Sequence, residues 1–240
     1  MIFDKLLTDE KKIMQFVSDS LEGRTSCLLT YFNQHCFNIY SSDENYRNLI
    51  DSKFATYIDG MGIRFALKLF GHKISAPFNA SDLNEKLFDF FARKNYSIYL
   101  IGGDISEEII YGPSSNKLNL KGYIKGFFNA EEEEFFLQQI TDSKPDVVIV
   151  GMGVPKQEAF SEKLSNKINR VSIICVGNFL EFHYGTIKRI PTIFRNLGIE
   201  WIFRLFSEPG RLWKRYILGI PLFFYLLVKE YYAVNNSSKA

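Results

Sequence analysis

Asp59 stands in Tyr57-Ile-Asp-Gly-Met-Gly62, at the end of an apolar, β-rich run and directly before two glycines, Gly60 and Gly62. A carboxylate at the carboxyl edge of a sheet can take the proton from a hydroxyl as that oxygen forms a new bond. The same placement suits an ordinary turn or helix cap, so both uses stay open. A second stretch, Val148-Ile-Val-Gly-Met-Gly-Val-Pro-Lys-Gln-Glu158, changes character halfway, from β-branched residues to Gly151 and Gly153, then Pro155 and three polar side chains. The glycines allow a sharp turn and close backbone approach to a ligand, and proline suits the first position of a helix. A helix starting there aims its unpaired N–H groups and positive dipole end at the sheet edge, a favourable place for phosphate, with Lys156 and Gln157 aimed at the same crevice. On the glycines alone, a plain strand-to-helix turn fits equally well.

Other chemistries find less support. Tyr99-Leu-Ile-Gly-Gly-Asp104 resembles half of a dinucleotide fingerprint in Gly102 and Gly103, but the third glycine is missing and no acid ends the following strand. His35 and His183 are single imidazoles without metal spacing, and the three cysteines, Cys27, Cys36 and Cys175, have no CxxC pattern. The expectation is therefore no metal, no cofactor and a reducing cytosol. The N-terminal MIFDKLLTDEKK has early acids and no long apolar centre, unlike a signal peptide.

Elements must hold these residues at one edge. Apolar, β-rich runs recur at 26–32, 54–58, 97–101, 147–150 and 171–176, and helical patterns at 8–21, 62–70, 81–93, 130–140 and 156–168, with Ser81 and Asn129 as N-caps. That alternation predicts an α/β fold with a mostly parallel sheet. The stretch 112–119 reads as a loop, and the acids Glu131–Glu134 as a solvated helix start.

The 240 residues carry a net charge of only +2, yet residues 188–215 hold seven basic residues against Glu200 and Glu208. That local +5 leaves −3 for the rest. Such a patch attracts phosphate, nucleic acid or anionic lipid headgroups. Tyr216–Val228 follows, thirteen residues without charge, too short to span a bilayer and flanked by Trp213, Tyr216, Tyr225, Tyr231 and Tyr232. The pairing favours a segment lying in a membrane surface over a nucleic-acid partner, against the alternative of a core helix.

The ordered set YIDGMG (57–62), SDL (81–83), YLIGG (99–103), GFF (126–128), PDVVIVGMGVPKQE (145–158), VGNFLEFHYGTIKRIP (176–191) and GIEWIFRLFSEPGRLWKRY (198–216) resembles the WecG/TagA/CpsF family of bacterial glycosyltransferases, over residues 26–216. The resemblance implies a Rossmann-like core, residues 1–196, and a membrane-associating appendage, residues 197–240. It implies transfer, with inversion, of a sugar from a UDP-sugar such as UDP-N-acetylmannosamine to a polyprenyl-diphosphate-linked sugar, at the cytosolic face of the plasma membrane. Surface polysaccharide is the implied product, and association through the core allows a homo-oligomer. Carried over residue by residue, Asp59 matches the catalytic base. Thr30, Asn33, Gly60, Gly62, Gly102, Gly103, Gly151, Gly153, Gln157 and Glu158 match the nucleotide-sugar pocket. Arg204 and Arg211 match arginines that hold diphosphate, with Lys214 or Arg215 as the third.

Three departures fall around the implied sugar pocket. Thr30 and Asn33 are separated by two residues, where the family often has Thr-x-Asn. Ala76–Leu83 lacks the arginine that commonly precedes its Ser-Asp-Leu, and Leu180-Glu181 stands in place of Phe-Asp. They bear on donor identity more than on reaction type. The absence of a DxD-type acid pair, with cationic side chains available instead, favours metal-independent transfer. Two rival readings predict different behaviour: a dinucleotide-dependent enzyme binds NAD, and a non-catalytic membrane scaffold depends on residues 197–240 alone.

Overall fold

The computed structural model describes residues 1–74, 78–113, 117–187, 205–206 and 209–237, with residues 209, 211 and 237 described by backbone alone. Strands β1 (Cys27–Phe32), β2 (Ala55–Ile58), β3 (Ser97–Gly102), β4 (Asn119–Ile124), β5 (Val147–Gly151) and β6 (Ser172–Cys175) form one sheet in the order β2-β1-β6-β5-β3-β4. Every pairing is parallel. The chain winds from β5 toward β6 on one side and from β3 toward β4 on the other. Winding therefore reverses between β3 and β5, where open α/β sheets place their ligand crevice.

The central strands are buried on both faces, which explains their unbroken apolar runs. Ile98, Leu100, Val147 and Ile149 face one layer with Ile13 and Val17 of α1 (Glu10–Glu22) and Leu83, Leu87 and Phe91 of α5 (Ala80–Lys94). Tyr99, Ile101, Val148 and Val150 face the other with Leu137 and Ile140 of α7 (Ala130–Ser143) and Phe160 and Leu164 of α8 (Lys156–Ser165).

The remaining helices of the core are α2 (Gln34–Ser42), α3 (Glu44–Lys53), α4 (Gly60–Leu69), α6 (Glu107–Ile110) and α9 (Phe179–His183). Helices α2 and α3 correct the expected organisation, since no helix was expected between β1 and β2. Their sequence is polar, and what starts them is capping: Asn33 accepts from the His35 and Cys36 amides, and Asp43 from that of Tyr46. Strand β4 is likewise additional, and the expected loop 112–119 ends in its first residue. Lys121 and Gly122 hide its pattern, and Gly122 is needed because a Cβ there would sit 2.6 Å from the Tyr99 ring. Asn129 caps α7 as expected, but α5 is capped by Asn79, whose side chain accepts from the Ser81 amide. Pro155 stands one residue before α8 rather than in its first turn.

At the C-terminus, α10 (Pro209–Trp213), a π-helical turn (Lys214–Leu218) and α11 (Gly219–Ser237) run on continuously. The helical stretch Lys214–Asn236, 23 residues whose most apolar 18 have a mean hydropathy of 1.5, is long and apolar enough to cross a membrane by length and composition. The uncharged thirteen residues understate it, because the helix continues through Lys229 and Glu230. Here it lies along the core. Phe223 packs edge-on against Phe37 of α2 at 5.5 Å, Phe224 meets Phe65 of α4 at 5.9 Å, and Asn38 donates to the Gly219 carbonyl at 2.7 Å. A helix spanning a bilayer would have to leave these contacts.

Candidate functional site

The residues singled out in the sequence end neighbouring parallel strands and so share one edge of the sheet. In spatial order they are Asp59 after β2, Thr30 and Asn33 on and after β1, the turn after β6, Gly151 and Gly153 after β5, and Gly102 and Gly103 after β3. Four strand spacings separate the first from the last, about 19 Å.

Asp59 is the N-cap of α4 by position, but its carboxylate makes no hydrogen bond to the first turn. The side chain instead meets the Asn33 amide, which donates to Oδ2 at 3.5 Å, while the Asp59 backbone N–H is held by the Phe32 carbonyl at 2.9 Å. Asn33 thereby serves two elements, capping α2 with its oxygen and turning its nitrogen toward Asp59. The two glycines that follow Asp59 have distinct uses. Gly60 takes a positive φ of 78° to enter the helix, and Gly62 leaves room for Gln34 and for Phe223 of α11.

At β5 the glycines divide their roles. A Cβ on Gly102 would lie 2.3 Å from the Gly151 carbonyl oxygen, so Gly102 exists for the close passage of β3 against β5. Gly151 is nearly as tight, a Cβ there lying 2.5 Å from the Gly177 carbonyl oxygen, whereas one on Gly103 would meet only the side chains of Glu181 and Ile105, at 3.2 Å. Gly153 differs: its φ is +78° and nothing stands within 4 Å of where its Cβ would be. It makes the turn and leaves open space before the first turn of α8.

Gln157 and Glu158 are fully buried. Gln157 donates to Glu158 Oε1 at 2.8 Å and accepts from the Gly177 amide at 3.1 Å, and Thr30 donates to the same Oε1 at 2.7 Å. Glu158 Oε2 has no hydrogen-bond partner among the described residues, and burial pushes this carboxyl above its ordinary value despite the bonds from Gln157 and Thr30. The expectation that Gln157 points into the open crevice is corrected: it points beneath it and fixes the turn after β6. Lys156 crosses to the turn after β4, where its Nζ donates to the Gly126 carbonyl at 3.4 Å and lies 4.7 Å from the centre of the Phe128 ring. Glu158 touches no open surface, so its place is structural support for Thr30 and Gln157.

The C-terminal arm brings a cation to this edge. Arg215 turns inward: its Nε is buried without a hydrogen-bond partner among the described residues, and its charge is felt by Tyr31, His35 and Cys36 around the start of α2. Burial first, and Arg215 second, push His35 down to about 4, so this imidazole is neutral at ordinary pH. Lys214 faces outward over the Trp213 ring. Between the two, Arg215 is the one that reaches the core. Arg204 lies outside the described residues, as do Lys188, Arg189, Arg195 and the expected boundary at 196–197; Arg211 is in α10, with its side chain outside the description. His183 is a satisfied histidine, Nδ1 meeting Glu85 at 2.9 Å beside the Phe88 and Phe179 rings.

Sequence reasoning did not single out Gly177, Tyr31 or Arg64. Gly177, with φ of 60°, donates its amide to Gln157 Oε1 and lies against the Tyr31 hydroxyl. A glycine directly after a buried strand was the available signal. A cavity of about 500 Å³ opens at the other end of the strands, around Asp19, Cys27, Lys53 and Ser165, and holds none of the expected site residues.

Comparison with known proteins gives a consistent picture. The model of the glycosyl transferase WecG/TagA/CpsF family matches residues 3–237. An N-acetylglucosaminyldiphosphoundecaprenol N-acetyl-beta-D-mannosaminyltransferase of Bacillus subtilis (strain 168) is 28% identical over 192 residues, covering 78% of this chain and 73% of the relative. A protein of the same description from Staphylococcus aureus (strain MW2) is 28% identical over 202 residues, covering 82% and 78%.

Proposed function

The chain belongs to the glycosyl transferase WecG/TagA/CpsF family, and from that premise we propose that it moves an N-acetylmannosamine-type sugar, or a related hexose, from a UDP-sugar to a polyprenyl-diphosphate-linked sugar. The relatives' descriptions, which name an N-acetylmannosaminyl group and an N-acetylglucosaminyl-diphosphoundecaprenol acceptor, support the sugar class and the acceptor. The product is a lengthened lipid-linked glycan for a cell-surface polymer.

One observation carries the mechanism: Asp59 keeps its carboxylate off the helix it caps, at the same sheet edge to which the C-terminal arm brings Arg215. Asp59 accepts the proton of the acceptor hydroxyl. The freed oxygen pair forms a bond to the anomeric carbon from the face opposite the UDP, and the bond from that carbon to the UDP oxygen breaks, giving inversion. The departing diphosphate gains negative charge, which the open turn at Gly153, the amides at the start of α8 and Arg215 are disposed to meet, with Arg204 and Arg211 as the other cations of the same reading. Residues 197–240 act as an appendage that completes the site.

The apolar surface supports placement at the inner face of the plasma membrane. Met61, Phe65 and Leu69 of α4 are exposed, and beside them α11 exposes Leu222, Phe224, Tyr225 and Val228. This continuous apolar face, with Lys68 and Lys229 in the same helices and Lys214 in the turn before α11, suits the interfacial layer of an anionic membrane.

The test is mass spectrometry of products from a panel of UDP-sugars and a short polyprenyl-diphosphate-linked N-acetylhexosamine. Asp59→Asn is expected to lower turnover by roughly 10²- to 10⁴-fold, the usual contribution of a general base, while UDP still binds. Full turnover by that variant sinks the mechanism; failure to bind UDP by the unaltered chain sinks the reading of the crevice.

A further inference from the structure

Arg64 lies in the second turn of α4, half-buried in a helix whose other inward residues, Ile63, Ala66 and Leu67, are apolar. Its Nη2 donates to the carbonyl of Phe78, in the segment that leads into α5. Its Nε is buried and has no hydrogen-bond partner among the described residues. A half-buried guanidinium that leaves its buried Nε donor unmade is an exception that calls for a reason. Helical side chains lean toward the N-terminus of their helix, and the N-terminus of α4 is Asp59.

We propose that Arg64 is a positioning residue of the transfer site: tethered at Phe78, its guanidinium sets a fixed positive charge beside Asp59 and holds the lip of the crevice to the helix that Asp59 begins. The proposal rests on Asp59 being the base. Burial pushes the Arg64 guanidinium down and the attraction to Asp59 pulls it back up, so the two side chains sense each other. The described groups that share charge interactions with Asp59 from the other elements are Tyr31 on β1, Tyr57 on β2 and Cys36 on α2. All three are raised by burial first and stay neutral. Arg215 and Glu158 act on Tyr31 and Cys36 from beyond them. Around residues 71–79 the sequence offers only His72 and Lys73 as further cationic candidates, so Arg64 supplies guanidinium chemistry that this segment lacks.

A pure tether and a charge partner respond differently to substitution. Arg64→Gln and Arg64→Met remove the charge, Gln keeping a donor for the Phe78 carbonyl; Arg64→Lys keeps the charge. The experiment is the pH profile of kcat/KM for the full chain with the UDP-sugar and acceptor analogue that give product, with Asp59→Asn alongside. The acidic limb reports the base of the free enzyme. Loss of a neighbouring cation makes a carboxylate harder to ionise, so the limb should move up by about one pH unit in both neutral variants, a loss of roughly tenfold on the acidic side. Arg64→Lys should bring it back toward the unaltered position. A limb that stays in place in the neutral variants while Asp59→Asn is inactive overturns the Arg64 proposal alone; full turnover by Asp59→Asn overturns the base and this inference with it. If Arg64→Gln does not fold, Arg64→Met carries the same test.

Discussion

Replacing Phe223 by alanine should release the C-terminal helix without unfolding the core. Phe223 is 1% exposed, set edge-on to Phe37 at 5.5 Å and packed over Gly62. Only one other α11 side chain, Leu227, is equally buried among the described residues. Each such anchor contributes about 1.5–3 kcal/mol by burial, the aromatic pair about 1 kcal/mol, and the Asn38 bond to Gly219 about 1 kcal/mol. Phe→Ala in a packed site removes about 3–5 kcal/mol, at least half of that gross sum, before the entropy of ordering the helix is charged against it. Net docking should therefore fall to about zero. Hydrogen exchange should show lost protection in α11 and on the facing side of α2, with the strands unchanged. UDP binding should persist, and transfer should fall several-fold because Arg215 leaves with the arm. Phe224→Ala, which trims a half-exposed ring at its contact with Phe65, is the graded comparison and should cost α11 much less protection. A Phe223→Ala chain that keeps α11 protected and transfers at the full rate refutes the reasoning, as does one whose sheet melts together with the helix.

Three further outcomes follow from the same geometry. Gly102→Ala forces a Cβ to 2.3 Å from the Gly151 oxygen at a φ of 136°, and should cost at least about 2 kcal/mol in thermal melts, whereas Gly153→Ala meets no atom, should cost only the backbone strain of an alanine at a φ of 78°, about 1–2 kcal/mol, and should also weaken UDP binding. Glu158 is raised from 4.5 in the folded state, so the fold binds its proton more tightly, and this group lowers stability as pH climbs from 4.5 through the raised value and no further above it. Glu158→Gln lacks that slope, so the melting-temperature gap by which wild type exceeds the variant should shrink as pH rises across that interval; a constant gap refutes the assignment. Phe65→Glu, at an exposed site, should leave folding intact and reduce sedimentation with anionic vesicles roughly tenfold or more, and unchanged vesicle binding removes α4 from the membrane-facing surface.

The central sheet was legible because parallel strands covered on both faces must be apolar throughout, as in Val147–Val150 and Ser97–Ile101. Edge strand β4 was not, since half of it faces solvent and Gly122 answers to the Tyr99 ring, a contact between segments. Helices α2 and α3 owe their starts to Asn33 and Asp43, single caps within a polar stretch whose apolar spacing is weak. The placement of Asp59 and the glycines at one edge could be read from strand ends alone. The inward turn of Gln157 and Glu158 could not, because it depends on Thr30 and the Gly177 amide, which are distant in sequence. Nor does any local pattern announce Arg64, whose interest comes from a carbonyl fourteen residues away and an unmade bond.

The proposed chemistry explains why base and apolar surface should share one helix. A lipid-linked acceptor presents its reactive hydroxyl only a sugar and a diphosphate away from a chain that must stay in an apolar phase. An enzyme that lifted the whole lipid out would expose that chain to water, at about 0.8 kcal/mol for each CH₂. Helix α4 avoids this by its dimensions: it begins at Asp59 and carries Met61, Phe65 and Leu69 on its exposed side, all within ten residues, about 15 Å. Its small residue, Gly62, is the one on which Phe223 seats α11, so the second apolar helix is docked against the element that carries the base. In the proposed reaction Arg215 would serve the crevice from the turn that precedes α11. Membrane contact and completion of the site then follow from one docking event, and a chain free in solution with its arm undocked would bind donor without spending it on water.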